Sequence, residues 1–481
     1  MHPSDGMAGW FKRFKSQGYP LDRLAIALIV GLTVAIGLLI VWGDRTQPKV
    51  REFSWAQQTV GAEDTAFTLT FNRPMDWQSV TEKLQIAPPL PGKTSWSGRR
   101  FAYTLTQPMP YGQAFQLNLS GAAAATKGTL DPFTATFKSR DLAFAYLGVN
   151  GDEAGRLILV NVTQSKKTVL TPANLSVLSF KSYPNGDRIL FTAAERTNSP
   201  NLNLVDAQLY RVTTGLGADS QPGQVEKVLD NQDYQILKFD LSADGDRIVI
   251  ERAARQNMMD ANLWQIRNNG QPERIPTAGG GVFLIAPDSQ TLVLAQGQGL
   301  AVVPLDGQTA DQPLDFLPQF GMVLSFSRDG SAATMVKFNT DYTRSLFLVT
   351  NQGQQTELLR TKGNFLATHF TPNRDALYGL LTRLLPGKDY QEQPYIAKID
   401  LKTRKIQELL DLPIQRDVNL TLAPDGSQLL FDQSIATPSQ AGQPDPANQS
   451  TKNIWSLSLL PSTADAQPTV KAVGAAPQWL P

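Results

Sequence analysis

A short motif recurs six times after residue 180 and constrains the fold more than any other feature of the chain. In each copy an apolar run leads to Asp or Asn, which Gly follows in four of the six, and a second apolar run leads away. Asp, Asn and Gly tolerate a left-handed backbone, so each copy predicts a tight β-hairpin. Where Ser289 and Arg374 replace Gly, we expect a looser turn or a turn of another type. The copies are SYPNGDRILF, LSADGDRIVI, IAPDSQTLVL, FSRDGSAATM, FTPNRDALYG and LAPDGSQLLF.

The spacing of the motif predicts a β-propeller. Copies lie roughly 40 to 60 residues apart, which is the size of one four-stranded blade. After each hairpin the sequence shows a third and a fourth strand, and both kinds occur seven times, as in LILVNV (Leu157 to Val162) followed by KTVLT. The stretch LAFAYLG (Leu142 to Gly148) has the pattern of a second strand with no first strand before it.

The C-terminus supplies the missing strand. When APQWLP is aligned with TLAPDG, Trp479 falls on Leu422 and Pro481 on Pro424. We therefore expect Trp479 and Pro481 to belong to a strand that pairs with Leu142 to Gly148 and closes the ring. Closure would leave no open edge in the ring of sheets. The prediction is an all-β fold with a seven-bladed propeller over residues 141–481, and six or eight blades are the alternatives.

The motif resembles the TolB-type propeller repeat, P-x-W-S-P-D-G-x-x-I-x-F. PQWLP at the C-terminus matches the opening of that pattern, and APDGSQLLF matches its continuation. Related repeats form the propellers of prolyl oligopeptidase and tricorn-type proteins. The resemblance implies the fold and is unspecific for function. As a family, TolB proteins have six blades and a different N-terminal domain.

Residues 51–140 predict a separate β-sandwich. AFTLTF, FAYTLT, AFQLNLS and FTATFKS alternate apolar and polar residues, as half-buried antiparallel strands do. The segment resembles the bacterial Ig-like domain of S-layer and other envelope proteins, whose F-(S/N)-x-P-M-D turn is matched by Phe71 to Asp76. In that family a strand follows the turn, and here it would include Val80 and Ile86 to Pro88. The resemblance implies a spacer domain.

The N-terminal segment predicts a membrane anchor. Leu24 to Trp42 contains no charged residue, and at about 1.5 Å per residue this run is close in length to a bilayer core. A large polar body follows without a second such run, and VWGDRT is a poor cleavage site. We expect a cytoplasmic tail (1–23), a signal anchor (24–42) and a linker (43–50). A cleaved signal peptide is the alternative.

Composition excludes several classes of function. Lys and Arg number 44 against 43 Asp and Glu, for a net charge of +1, whereas nucleic-acid binding normally needs a basic surface. There is no Cys, and His2 and His369 are the only histidines, so a multi-histidine zinc site is not possible. The nucleophile motif G-x-S-x-G is absent, and His369 lies on a predicted first strand, where a structural role is expected. No catalytic, cofactor-binding or metal-binding residue is predicted, and no cofactor.

The connections between second and third strands, and those between blades, lie on one face of a propeller, and the long insertions fall there. Arg and Tyr are typical anchors of protein interfaces. We therefore predict a candidate interaction face, although ordinary solvated loops would give the same pattern. Its residues are Arg196, Arg252, Arg255, Tyr342, Arg344, Arg383, Lys388 and Tyr390.

Together these features predict a single-pass, non-enzymatic binding or scaffold protein of the bacterial plasma membrane. Most of the chain would be periplasmic or extracellular, and its partner would be another envelope protein rather than nucleic acid. The alternative is a propeller enzyme or sensor that binds a peptide or glycan in the central channel. The sequence leaves enzymatic activity and any small ligand open.

Overall fold

A computed structural model describes twelve stretches of the chain, and almost all of their regular structure is β-strand. The two α-helices among these residues are α1 (Pro20–Trp42) and α2 (Trp77–Lys83), and a 3-10 helix, η1, spans Gly151–Glu153. The described residues are 20–42, 47–196, 206–217, 221–268, 270–276, 281–297, 299–305, 315–387, 390–415, 417–436, 453–462 and 467–481.

Helix α1 contains the segment that the sequence predicts to be an anchor. Its side chains are described from Leu24 to Gly37, and large apolar ones among them, such as Leu24 and Ile36, are exposed. Over the described residues, no helix combines the length and the apolar character needed to span a membrane.

Two four-stranded sheets form a β-sandwich after this helix. One sheet has the order β1-β3-β6-β5 and the other β2-β8-β7-β4, and all pairs are antiparallel except β2 with β8. Side chains of both sheets, including Phe67 and Phe137, share one core. The strands are β1 (Val50–Phe53), β2 (Thr59–Val60), β3 (Ala66–Phe71), β4 (Leu84–Ala87), β5 (Gly92–Ser97), β6 (Arg100–Leu105), β7 (Ala114–Leu119) and β8 (Phe133–Ser139).

The four predicted strands of the sandwich are confirmed, but Val80 is not in a strand as expected. It is buried within helix α2. The Asp76 side chain accepts a hydrogen bond of 2.7 Å from the Ser79 amide, and this cap satisfies an amide that would otherwise lack a partner in the first turn of a helix. The predicted strand therefore begins only at Leu84.

Seven further four-stranded sheets follow in the described part of the chain. Sheet 1 has the order β11-β10-β9-β36, and sheets 2 to 7 each contain four consecutive strands, β12–β15 through β32–β35. The first seven strands are β9 (Ala143–Leu147), β10 (Leu157–Asn161), β11 (Lys166–Val169), β12 (Leu175–Ser182), β13 (Arg188–Glu195), β14 (Gln208–Thr213) and β15 (Val225–Leu229).

The strands of sheets 3 to 5 are β16 (Tyr234–Leu241), β17 (Arg247–Ala254), β18 (Asn257–Arg267), β19 (Glu273–Arg274), β20 (Phe283–Ile285), β21 (Thr291–Gln296), β22 (Gly299–Pro304), β23 (Asp315–Leu317), β24 (Met322–Phe326), β25 (Ala332–Phe338), β26 (Arg344–Thr350) and β27 (Gln355–Thr361). Those of sheets 6 and 7, with the C-terminal strand, are β28 (Phe365–Phe370), β29 (Ala376–Leu384), β30 (Glu392–Asp400), β31 (Ile406–Asp411), β32 (Leu420–Leu422), β33 (Gln428–Ala436), β34 (Asn453–Pro461), β35 (Thr469–Val473) and β36 (Ala475–Trp479).

The turn between the first two strands is the same in all six motif copies, so the expectation of looser turns at Ser289 and Arg374 is wrong. Gly186, Gly245, Gly330 and Gly426 have positive φ, and Ser289 and Arg374 adopt the same conformation at φ 60° and 56°. In every copy the amide at this position donates to the carbonyl three residues earlier, as from Arg374 to Thr371 at 2.9 Å. The hairpin register imposes the turn even where the side chain disfavours it.

The predicted pairing of the C-terminal strand is confirmed for Trp479, but Pro481 lies beyond the end of the strand. Strand β36 lies antiparallel to β9, with Trp479 opposite Phe144, and the Leu480 amide donates to the Ala143 carbonyl at 2.9 Å. Trp479 is 5% exposed, and its ring meets Phe144 edge-on at 5.4 Å. Sheet 1 thus takes its first strand from the far end of the sequence.

Successive sheets pack face to face. Six hydrophobic clusters are each shared by one sheet and the next in chain order. A seventh cluster joins sheet 7 to sheet 1, for example through Leu457 and Phe144. Radially repeated four-stranded sheets that pack in this way define a β-propeller.

Candidate functional site

The two faces of the propeller have different neighbours. The first-to-second strand turns face the sandwich, and there Arg328 lies 3.3 Å from Glu63 and 3.3 Å from Asp64. Arg140, between the two parts, donates to the carbonyls of Pro481 at 2.5 Å and Pro184 at 3.3 Å. We call this side the covered face. The side that carries the second-to-third strand connections and the connections between sheets is the open face.

Most of the predicted interaction residues lie on the open face, but on different sheets. Arg196 belongs to sheet 2, Arg255 to sheet 3, Tyr342 and Arg344 to sheet 5, and Arg383 and Tyr390 to sheet 6. Tyr342 is 91% exposed and Tyr390 68%. Lys388 lies outside the described residues.

Several of these arginines already have partners within the fold. Arg255 donates to the Asn231 carbonyl at 2.6 Å, and Arg383 pairs with Glu408 at 2.9 Å and Asp411 at 2.7 Å. Arg196 donates to the Ala154 carbonyl. Part of each of these guanidinium groups is therefore already bonded within the fold, and only the rest could contact a partner.

Arg252 does not belong to an exposed rim, contrary to the prediction. It is 6% exposed, and its guanidinium carbon lies 4.3 Å from the Tyr234 ring centre and 5.0 Å from that of Trp264. Desolvation by burial lowers the pKa of Arg252, although nearby Tyr234, Asp230 and Asp233 oppose this effect. Such cation–π stacking is strongest when the cation is desolvated, so Arg252 has a packing role.

Arg344 and Tyr390 meet around a carboxylate that the sequence did not single out. Glu392 accepts hydrogen bonds from Asn364 at 2.8 Å, from Thr382 at 2.5 Å and from the Tyr390 hydroxyl. Burial opposes its ionisation, but these bonds and the charge of Arg344 together lower the pKa of Glu392. The network holds the exposed Tyr390 ring in place.

A cavity of about 440 Å³ opens beside this network. The exposed apolar side chains of Leu366, Tyr390 and Ile414 line it together with Asn364 and Glu392. Of these lining residues the sequence marks only Tyr390, because the cavity is formed by strands and connections that are separated in the chain.

Exposed apolar side chains of the propeller concentrate on the open face. Met259 and Tyr342 are the most exposed, at 93% and 91%. Single exposed apolar residues are normal on a soluble protein, but their concentration on one face is typical of an interaction surface. The set comprises Leu237, Met258, Met259, Val282, Phe338, Tyr342, Leu366, Leu384, Tyr390, Ile414 and Val473.

A second cavity, of about 680 Å³, lies between the sandwich and the covered face. Glu63 and Thr65 line it from the sandwich, and sheets 5, 6 and 7 supply the rest, including Arg328, Arg374 and His369. Nearby, the hydroxyls of Ser325, Thr334 and Thr368 form a closed triangle of hydrogen bonds, 2.7 to 2.9 Å long.

His369 has a structural partner. Its Nε2 lies 2.7 Å from the Leu420 carbonyl, which can only accept, so Nε2 carries the proton. Desolvation by burial lowers the pKa of His369, with the Leu420 carbonyl acting in the opposite sense. The imidazole is therefore neutral at pH 7 and ties sheet 6 to sheet 7.

Over the described residues no three His, Cys, Asp or Glu side chains are grouped closely enough to hold a metal ion. The turn carboxylates instead bond within their own turns, as Asp425 does with the Ser427 amide at 3.0 Å and its hydroxyl at 2.7 Å. The aspartates of the repeated motif therefore stabilise the hairpin turns.

Several solved structures resemble this chain. TolB from Acinetobacter baumannii is 12% identical, with 84% of each chain covered and a TM-score of 0.40. An oligogalacturonate lyase in complex with manganese is 12% identical over 68% of this chain and 95% of that one, with a TM-score of 0.44. A putative 6-phosphogluconolactonase from Bacteroides uniformis is 11% identical over 71% of this chain and 100% of that one, with a TM-score of 0.43.

These similarities say nothing about the function of this chain. By its sheet topology, the described part of the chain is all-β and ends in a β-propeller. Its sequence matches no protein-family model and no curated protein.

Proposed function

We propose that this chain is a non-enzymatic, membrane-anchored binding protein of a bacterial cell envelope, which presents the open face of its propeller to a protein partner. One observation carries the proposal: the sandwich lies against one face, and the exposed apolar side chains concentrate on the other. A protein that binds through the open face can do so without displacing its own sandwich.

The seven sheets are, in this proposal, the seven blades of one closed ring. The pairing of β36 with β9 and the cluster between sheets 7 and 1 support that number. A closed ring holds loops of different sheets in fixed positions, so residues far apart in sequence can act as one surface. The sandwich, proposed to be Ig-like, would serve as a spacer.

The anchor in this proposal is the uncharged run from Leu24 to Trp42, which would place the body outside the plasma membrane. It rests on the sequence. The full chain should remain with membranes after alkaline carbonate extraction, whereas a chain that begins at residue 47 should be released. Release of the full chain would contradict membrane anchoring while leaving the binding proposal untouched.

The interaction face can be tested by site-specific photo-crosslinking in native membranes. Photoreactive residues at Met259, Tyr342 and Tyr390 should capture one common partner. The same probes at Val162 and Ile406, which are also exposed but lie at third-to-fourth strand turns on the opposite side, should not. Equal capture from both sides would contradict the assignment of the face.

A second candidate is an enzyme or sensor that works in the channel. The cavity beside His369 favours it, because at about 680 Å³ it has the size of a small-molecule site. Activity screening of the body with a His369→Ala control would test this candidate. Inactivity together with no ligand-induced change in melting temperature would contradict it.

A further inference from the structure

The cavity on the covered face contains two arginines from neighbouring turns. Arg328 comes from the turn of sheet 5 and Arg374 from the turn of sheet 6. Their side chains remain 56% and 47% exposed, so neither is enclosed by the packing of the sheets. Arg374 lies 3.1 Å from Asp329 and also contacts the Ser331 hydroxyl.

Arg374 occupies a position that disfavours it. Four of the six equivalent turn positions are Gly, and Arg374 adopts the same left-handed conformation at φ 56°. A side chain in this region is uncommon and is often connected with a site of function. A charged residue here places its guanidinium at the wall of the cavity, which Gly cannot do.

The sandwich brings an acidic dipeptide against Arg328, and Glu63 of this pair lines the cavity. Glu63 reaches Arg328 Nε at 3.3 Å, and Asp64 reaches another nitrogen of that guanidinium at 3.3 Å. The Asp64 carboxylate also accepts from the Gly61 amide at 2.9 Å, which fixes the loop in a tight turn. Glu63 and Asp64 thus bind the arginine as the side chains of a separate acidic peptide could.

The contacts of Glu63 and Asp64 with Arg328 could be replaced by those of a competing carboxylate. Both distances are longer than the 2.7 to 2.9 Å of strong charge-assisted hydrogen bonds. The side chains of Glu63 and Asp64 are 31% and 43% exposed, so a competing group can reach both ion pairs from solvent. A competing carboxylate would also meet Arg374 and the hydroxyls at the wall of the cavity.

We propose that the covered cavity is a binding site for an acidic segment of another protein, and that the Glu63–Asp64 loop occupies it as an internal competitor. Binding would replace the Glu63 and Asp64 contacts to Arg328 with those of the partner. This site is separate from the open face, so the proposal does not depend on the function of that face.

The test uses a peptide copy of the loop, acetyl-Gly-Ala-Glu-Asp-Thr-Ala-amide (residues 61–66), with a fluorescent label. A tethered competitor acts at about millimolar effective concentration. In fluorescence anisotropy, the full chain carrying Glu63→Gln and Asp64→Asn should therefore bind the peptide at least about tenfold more tightly than the wild type does. The neutral peptide with Gln and Asn should not bind either protein.

Arginine variants complete the experiment. Added to the Glu63→Gln, Asp64→Asn chain, either Arg328→Ala or Arg374→Ala should weaken peptide binding at least about tenfold, with the melting temperature used to confirm folding. Arg360→Ala is the matched control, because Arg360 is a half-exposed arginine that pairs with Asp341 on the open face. Failure of the neutralised chain to bind the peptide, or equal binding after Arg374→Ala, would overturn the proposal.

Discussion

Arg252 illustrates how burial decides the role of a charged residue. Its stacking between Tyr234 and Trp264 predicts that Arg252→Ala lowers the free energy of unfolding by about 2 kcal/mol. Arg196→Ala should change it by less than about 0.5 kcal/mol, because Arg196 is exposed. Urea denaturation of the chain that begins at residue 47 measures the free energy of unfolding of each variant. A smaller effect at Arg252 than at Arg196 would contradict the packing role.

Glu392 makes stability depend on pH in a defined direction. Its folded-state pKa lies below the ordinary value of 4.5, so the unfolded chain binds more protons. The stabilisation is fully present above about pH 4.5 and is lost as the pH falls through the folded-state pKa. Urea denaturation from about pH 6 to pH 3.5 should show the advantage of the wild type over Glu392→Gln shrinking. A stability difference between the wild type and Glu392→Gln that is constant across that range would contradict stabilisation by the hydrogen bonds to Glu392.

At the scale of the element, the C-terminal strand has the largest predicted effect. Deletion of Pro477 to Pro481 removes Trp479 and Leu480, both buried, and reopens sheet 1. We expect the melting temperature to fall by several degrees or more, and Trp479→Ala alone to cost about 3 to 5 kcal/mol. Val470→Ala is the control, because Val470 is 60% exposed on the neighbouring strand β35. An unchanged melting curve after the deletion would refute the closure.

The elements were predictable from sequence where local chemistry decides them. The Asp-Gly hairpins and the unpaired β9 stood out because turn residues and period-2 alternation act over a few residues. Ser289 and Arg374 were misjudged because the hairpin register overrides the preference of the side chain. Val80 was misplaced because the family resemblance puts a strand there, whereas the Asp76 side chain caps the first turn of a helix in this chain.

At the scale of the whole molecule, the sandwich determines which face of the propeller is free. That arrangement depends on contacts such as Arg328 with Glu63, which are more than two hundred residues apart, and no local pattern signals them. The candidate site was predictable only in part for the same reason. Arg and Tyr in long connections indicated the open face, but Glu392 and the apolar lining became visible only once the sheets were assembled.

The central claim is that the open face binds a protein partner. Its most direct test is to measure the affinity of the partner identified by crosslinking for the purified body. Combined Met259→Ser, Tyr342→Ser and Tyr390→Ser substitutions should weaken that affinity at least about a hundredfold, because exposed apolar and aromatic anchors dominate such interfaces. Combined Val162→Ser and Ile406→Ser substitutions should leave it unchanged. Undiminished binding by the triple variant would contradict binding through the open face.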